Sequence, residues 1–162
     1  MPSILRKIQG ILKNTEFVYV ATVDSKNRPN AAPKFLLKLE DNFLYLIDHV
    51  MGMTYKNLKI NPYASIAIMD TDTLTGYQIN GPVEIIEKGT EHKKILMEVM
   101  DKEVKLTAKH IIEDIRGGKT HENFIVALPE RLIVFKILID RVIEIKTSGK
   151  MQREKIVRLV EE

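Results

Sequence analysis

The 162-residue sequence predicts a mainly β protein with helices (α+β): an antiparallel barrel of six to eight strands with helices packed on its outside. Three observations carry this. Short runs rich in β-branched and aromatic residues follow one another across turn residues, as in FVYVATV, AAPKFLLKL and FLYLID. One long stretch, Glu91 to Arg116, switches to helical spacing. At 44% hydrophobic composition the chain can fill one core but is too short for two ordinary domains, so residues 1–162 read as a single unit. Strands joined by short turns do not make a doubly wound parallel sheet.

The elements follow in order. Ser3 to Lys13 places Ile4, Ile8, Ile11 and Leu12 on one face and predicts a small covering helix ending near Asn14. FVYVATV, AAPKFLLKL and FLYLID, separated by DSKNRP and EDN, predict a three-strand meander. A short helix opens near Thr54, and Asn61-Pro62 stops it. ASIAIM and YQINGPVEII are two further strands around the turn TDTLTG, and Gly81 marks a bulge or bend in the second. The long helix carries Leu96, Met100, Val104, Ala108, Ile111 and Ile115 on one stripe, with Gly117-Gly118 as its stop signal. NFIVAL is expected as a strand. In RLIVFKILIDRVIEIK, residues Ile133, Phe135, Ile137, Ile139, Ile143 and Ile145 are expected to alternate on one side and close the sheet. MQREKIVRLVEE reads as a docking helix, with Ile156, Leu159 and Val160 on its apolar face.

Several chemistries are poorly supported. The chain has no cysteine, so disulfides, thiolate metal sites and thiol nucleophiles are excluded, and any electron chemistry has to be borrowed from a cofactor. His49, His92, His110 and His121 show no metal-ligand spacing, so no metal is expected, although His49 stands at a strand end. Ser3, Ser25, Ser65 and Ser148 lack a nucleophile-elbow context, and neither GxxxxGK[ST] nor GxGxxG is present. The net charge of +3 comes from 25 basic and 22 acidic residues interspersed, which argues at most for small anionic ligands. A C-terminal basic cluster, Lys146, Lys150, Arg153, Lys155 and Arg158, could contact phosphates, but interleaved glutamates and the absence of a stacking platform argue against nucleic acid. MPSILRKIQGILKN alternates charged with apolar residues and reads as neither signal peptide nor anchor, so no membrane partner and a cytoplasmic location are expected.

The segment Asp48 to Pro62, DHVMGMTYKNLKINP, carries the strongest functional signal. A strand there feeds a short helix, Thr54 is expected to cap it, and the freed N–H groups with the helix dipole form an anion site that Lys56 reinforces. The structural alternative is a plain connector with a solvated lysine.

In series, PKFLLKLEDNFLYLID, MGMTYKNLKINPYASIAI and LTGYQINGPVEII resemble the FMN-binding split β-barrel family, which includes pyridoxamine 5'-phosphate oxidases and the small FMN-binding proteins. The resemblance covers Thr15 to Glu87 well and the remainder in element order. It implies a split barrel, an FMN cofactor and a homodimer with flavin at the subunit interface. Pro33, Lys34 and Phe35 would lie along the isoalloxazine, with Lys34 favouring negative charge on the reduced ring. Ile47 and Asp48 would end the next strand beside the cofactor. Met53, Thr54, Lys56 and Asn57 would form the phosphate helix, and Thr75, Gly76 and Gln78 would stand near the ring.

The chain departs from the oxidase pattern. Met53-Thr54 occupies the place of an Arg-Lys pair, and Lys56, two positions on, points about 200° away. Thr54 with backbone amides, helped by Lys34 or Lys38, would then hold the phosphate. Thr54 and Thr75-Gly76-Tyr77 are nearer to the small FMN-binding proteins. A flavin-dependent oxidoreductase or an electron-transfer protein, paired with a small-molecule or nicotinamide electron partner, is therefore expected. Deazaflavin F420 or heme is the alternative cofactor, and a cofactor-free binding module the remaining class.

Overall fold

Apolar residues at every second position build the strands. In β1 (Phe17–Val23) Val18, Val20 and Thr22 point inward while Phe17, Tyr19 and Ala21 point out. The structure, a computed structural model, describes residues 3–117 and 131–156. Its order is α1 (Ser3–Leu12), β1, β2 (Pro29–Glu40), β3 (Phe43–Asp48), α2 (Met53–Ile60), β4 (Tyr63–Asp70), β5 (Thr75–Ile86), α3 (Thr90–Arg116), β6 (Ile133–Leu138), β7 (Arg141–Ile145) and β8 (Met151–Lys155). The strands pair as β4-β1-β2-β3-β6-β5, and β4 pairs again with β5, closing a six-stranded antiparallel barrel; β7 and β8 extend from β5. The expected fold class stands, and residues 123–128, read as a strand, lie outside the described residues.

Two apolar clusters sit on the two faces of this sheet. The inner one fills the barrel, with Leu36, Leu46, Ile66, Ile79 and Phe135 beneath the Ile4, Leu5 and Ile8 face of α1. The outer one lies between the barrel wall and α3, joining Leu37, Tyr45, Ile47 and Val134 to Ile95 and Val99. Because β3 is covered on both sides, FLYLID is apolar almost throughout rather than alternating.

A bulge in β2 makes the second cluster possible. Leu36 pairs with Leu46, but the next partners are Lys38 and Tyr45, so Leu37 is an extra residue. Both Leu37 and Lys38 therefore face α3, Lys38 Nζ lying 5.0 Å from the centre of the Tyr45 ring, and Leu39 returns to the barrel cluster.

Helix α1 is anchored at its start and at its middle. The Ser3 and Ile4 amides donate to the Glu154 carboxylate of β8 at 3.1 and 2.9 Å, which caps the positive helix end. Lys7 Nζ donates to Glu144 Oε1 at 2.8 Å, and the Tyr77 hydroxyl lies 3.4 Å from the same oxygen. The Lys7 hydrogen bond and charge hold the buried Glu144 carboxyl below its ordinary value of 4.5, against burial, which pushes it up. A depressed carboxyl stabilises the fold above its unfolded pKa, and that contribution is lost as pH falls through the folded value. Unfolding midpoints measured below pH 4.5 should therefore fall with pH in the natural chain, and Glu144→Gln should flatten that acid limb.

Three sequence expectations are corrected. Met151–Lys155 is a strand, not the start of a docking helix: Gly149 adopts φ 77°, closes the hairpin from β7, and sets Met151 opposite Ile145. Residues 157–162 lie outside the described residues. The alternation through Ile139 does not continue into β7, because Ile139-Asp140 separates two strands. Val142 enters the core instead, while Ile143 and Ile145 turn to the outer face. On α3, the buried positions among the described side chains are Ile95 and Val99, with half-buried Lys102 and Leu106 continuing their line; of the expected stripe Leu96 packs partly buried against this cluster, Met100, Val104 and Ala108 are exposed, and the Ile111 and Ile115 side chains lie outside the described ones.

Candidate functional site

Outward positions of β2, β1, β4, β5 and β7 come into one cross-strand row. Tyr19 pairs with Pro33 on one side and Ala67 on the other, Ala67 with Gln78, and Gln78 with Ile143. These positions face away from the barrel core, and Tyr19, Ala67 and Gln78 of the row, with Phe17, Met69 and Ile145, line a mainly apolar cleft of about 740 Å³. Its rim is unusually bare of cover: Phe17 is 58% exposed, Tyr19 65%, Met69 53% and Ile145 40%. Among the polar lining groups, Gln78 Nε2 donates to Ser65 Oγ at 2.7 Å, so the Gln78 carboxamide oxygen and the Ser65 hydroxyl proton are available to a ligand. Tyr77 lies in the floor, its phenol raised above the ordinary tyrosine range first by burial and then by the Glu144 charge.

Four predicted site residues meet here. Gly76 and Gln78 line the cleft, Pro33 stands in its row, and Phe35 packs edge-on against Phe17 with ring centres 5.6 Å apart. Thr75 turns inward and Ile47 is buried under α3, so both support the walls rather than face the cleft.

Lys34 lies on the inner face of β2, opposite to Phe35. Its Nζ is 2.7 Å from Asp48 Oδ2, both side chains being only 11% exposed. The approach is an ion pair without hydrogen-bond alignment, and Asp48 Oδ2 has no hydrogen-bond partner. Asp48 Oδ1 accepts from the Val50 amide at 3.1 Å and turns the chain toward α2. With its charge matched by Asp48, Lys34 offers a distant anion little net field.

The start of α2 differs in detail from the sequence expectation. Gly52, not Thr54, is the N-cap, and it contributes no side-chain cap. The first intrahelical bond runs from Lys56 N–H to Gly52 O at 3.1 Å, which leaves the Met53, Thr54 and Tyr55 amides without intrahelical partners. Thr54, 1% exposed, accepts a hydrogen bond from Asn30 Nδ2 at 3.3 Å; Asn57, also 1% exposed, donates to Thr22 Oγ1 at 3.0 Å. Both residues seat the helix on β1 and β2, since a polar group buried there needs a partner. One turn apart on α2, Tyr55 and Lys59 both donate to Glu87, at 2.6 and 2.7 Å. Lys56 and Met53 remain exposed.

Two cations escaped the sequence reading. Arg131 brings Nη1 to 3.3 Å from Met51 Sδ, beside the loop that enters α2, and its carbonyl lies 3.3 Å from His49 Nδ1. Nothing in the local sequence links positions 51 and 131. Lys102, on α3, donates to the Leu36 and Leu37 carbonyls at 2.6 and 2.7 Å. A signal for it existed: a lysine stands between Val99 and Leu106 on the very stripe whose apolar members are buried.

The sequence model of the pyridoxamine 5'-phosphate oxidase family matches residues 4–127. No curated protein sequence matches the chain. Among solved structures, similarity extends to a Clostridium acetobutylicum protein related to general stress protein 26 of B. subtilis, at 16% identity over 94% of each chain and TM-score 0.64. A pyridoxamine 5'-phosphate oxidase-related, FMN binding protein from Nostoc punctiforme matches at 13% identity over 98% of this chain and 99% of that one, TM-score 0.60. A heme binding protein from Mycobacterium smegmatis matches at 20% identity over 96% of this chain but 59% of its own, TM-score 0.60. At these identities the likeness to the solved structures is one of fold.

Proposed function

Because this chain belongs to the pyridoxamine 5'-phosphate oxidase family, we propose that it is an FMN-binding flavoprotein, an oxidoreductase or electron carrier, that works as a homodimer with flavin at the subunit interface. The observation that carries this reading is the bare apolar cleft of about 740 Å³ across the outward faces of the barrel. An isoalloxazine is a flat apolar body with a polar edge. The cleft offers apolar walls for the body and the Gln78–Ser65 pair for the edge. The uncovered Phe17, Tyr19, Met69 and Ile145 side chains suit burial against a second copy of the same face.

The phosphate belongs at the start of α2 in this reading. The Met53, Thr54 and Tyr55 amides have no partner within the helix, and Asn30 of β2 holds the Thr54 side chain beside them. Arg131 and Lys56 supply the nearby positive charge that the Met53-Thr54 sequence lacks. Bound FMN would supply one- and two-electron redox chemistry. The chain itself binds, orients and excludes water from the ring, and a small-molecule or nicotinamide partner would complete the exchange.

An absorption spectrum and FMN titration of the purified protein, with sedimentation measured on the same sample, test the reading. Flavin bands and a dimer are expected; a colourless monomer that takes up no FMN would reject it. F420 and heme are separated by the same spectrum, and heme has one observation in its favour: Tyr19 and Met69 on the cleft are side chains able to ligate iron.

The exposed Met53 allows a sharper test than buried Thr54. In Met53→Asp a carboxylate stands in the first turn, where it should stabilise the helix by about 0.5 kcal/mol while repelling a phosphate. Thermal stability should hold or rise, and FMN affinity should fall about tenfold or more, whereas riboflavin binding, which needs no phosphate site, should change little.

A further inference from the structure

The bulge that lets β2 serve both clusters leaves Leu37 without a strand partner, directly after the Leu36–Leu46 pair, and the Leu36 and Leu37 carbonyls at this irregularity are met from outside the sheet. One side chain answers both. Lys102 Nζ, from α3, donates to Leu36 O at 2.6 Å and to Leu37 O at 2.7 Å, and it also stands 5.2 Å from the centre of the Phe35 ring. Phe35 in turn meets Phe17 edge-on at 5.6 Å and 78°, and Phe17 lines the cleft. An unbroken line of contacts thus runs from α3, outside the barrel, to the cleft wall. We infer that Lys102 is a positioning residue for the cleft: it fixes the β2 bulge and, through Phe35 and Phe17, the wall against which the flavin ring would lie.

A purely structural anchor at this point would more economically be apolar. The position falls on the α3 line of Ile95, Val99 and Leu106, and burying an ammonium costs free energy unless it is hydrogen-bonded. Burial indeed pulls the Lys102 amine below its ordinary value of 10.5, with the Glu16 carboxylate partly offsetting it. What the ammonium provides and a leucine could not is two directed donors. Two carbonyls held by one nitrogen set the bulge at a single geometry, and the ring placed under that nitrogen follows.

The consequence for flavin rests on the proposed function; the consequence for the Phe35–Phe17 pair does not. The test compares K102M, K102R and the natural chain in two measurements. In the FMN-free protein, K102M should shift the Phe17 and Phe35 ring resonances and speed amide exchange in β2 around the bulge, while K102R, which keeps the donors, should return both toward natural values. With FMN, K102M should bind about tenfold more weakly and change the visible circular dichroism of the bound flavin. Unmoved ring resonances and unchanged exchange in K102M overturn the inference. Should the natural chain bind no FMN, the flavin reading fails and the ring resonances still decide the positioning role. Should K102M fail to fold, K102Q, which keeps a neutral amide donor, takes its place under the same criteria.

Discussion

Gly81→Ala should destabilise the protein by about 3 kcal/mol or more, or prevent folding altogether. A Cβ at this position would collide with Leu138 O and lie 2.9 Å from Leu138 C, a backbone contact that no side-chain rotation relieves. The approach is close because Gly81 is where β5 changes partners. Up to Asn80 it pairs with β7, from Val83 it pairs with β6, and from Thr75 to Pro82 its other edge pairs with β4. The Asp140 amide, donating to Asn80 O at 3.0 Å, draws the β6–β7 connection onto this corner. Moving that connection away would open the barrel where three strands meet. Gly10→Ala is the matching control, since a Cβ there meets nothing within 4 Å and lies in α1, where alanine should be neutral or stabilise by about 1 kcal/mol. Urea denaturation of both variants gives the comparison, and a Gly81→Ala midpoint near that of the natural chain would mean that the corner is drawn wrongly.

Ala67→Glu should remove both FMN binding and dimer formation while leaving the monomer folded. Ala67 is exposed and central, paired with Tyr19 on β1 and Gln78 on β5 in the cleft row. A carboxylate there reaches solvent in a monomer, so stability should stay within about 0.5 kcal/mol. In a dimer closed over this face the same carboxylate would be desolvated without a partner, with an expected loss of several kcal/mol, or 100-fold or more in affinity. Flavin titration and sedimentation read the two effects separately. A variant that still forms dimers and still binds flavin at natural strength would place the interface elsewhere.

Much of the β architecture was legible because it is written locally. Alternation with period two, the turn residues around Asp24, Asp41 and Asp70, and the stop at Asn61-Pro62 each act over a few residues, so the three-strand meander and the β4–β5 hairpin appear where the sequence puts them. Faces were less legible, for identifiable reasons. The Ile133-to-Ile145 alternation slipped at Ile139-Asp140 because two strands, not one, span it. Apolar spacing on the long helix favoured the stripe of Leu96, Met100 and Val104, because Lys102 interrupts the neighbouring stripe that is actually buried. Thr54 has the side chain of a good N-cap, yet Asn30 of β2 claims its hydroxyl and Gly52 takes the capping position.

By itself, then, the sequence determined the strand and helix order of the described core and the pairing of neighbouring strands, because backbone propensity, side-chain period and turn chemistry are properties of short stretches. The tertiary structure alone decided which residues share a surface: the Tyr19–Ala67–Gln78 row, the Lys102 bond to the β2 bulge, Arg131 beside Met51, and the meeting of Gly81 with Leu138. Each joins positions from different elements. Barrel closure sets such neighbours by bringing the β4 and β5 edges together, and no local signal in the chain encodes that meeting.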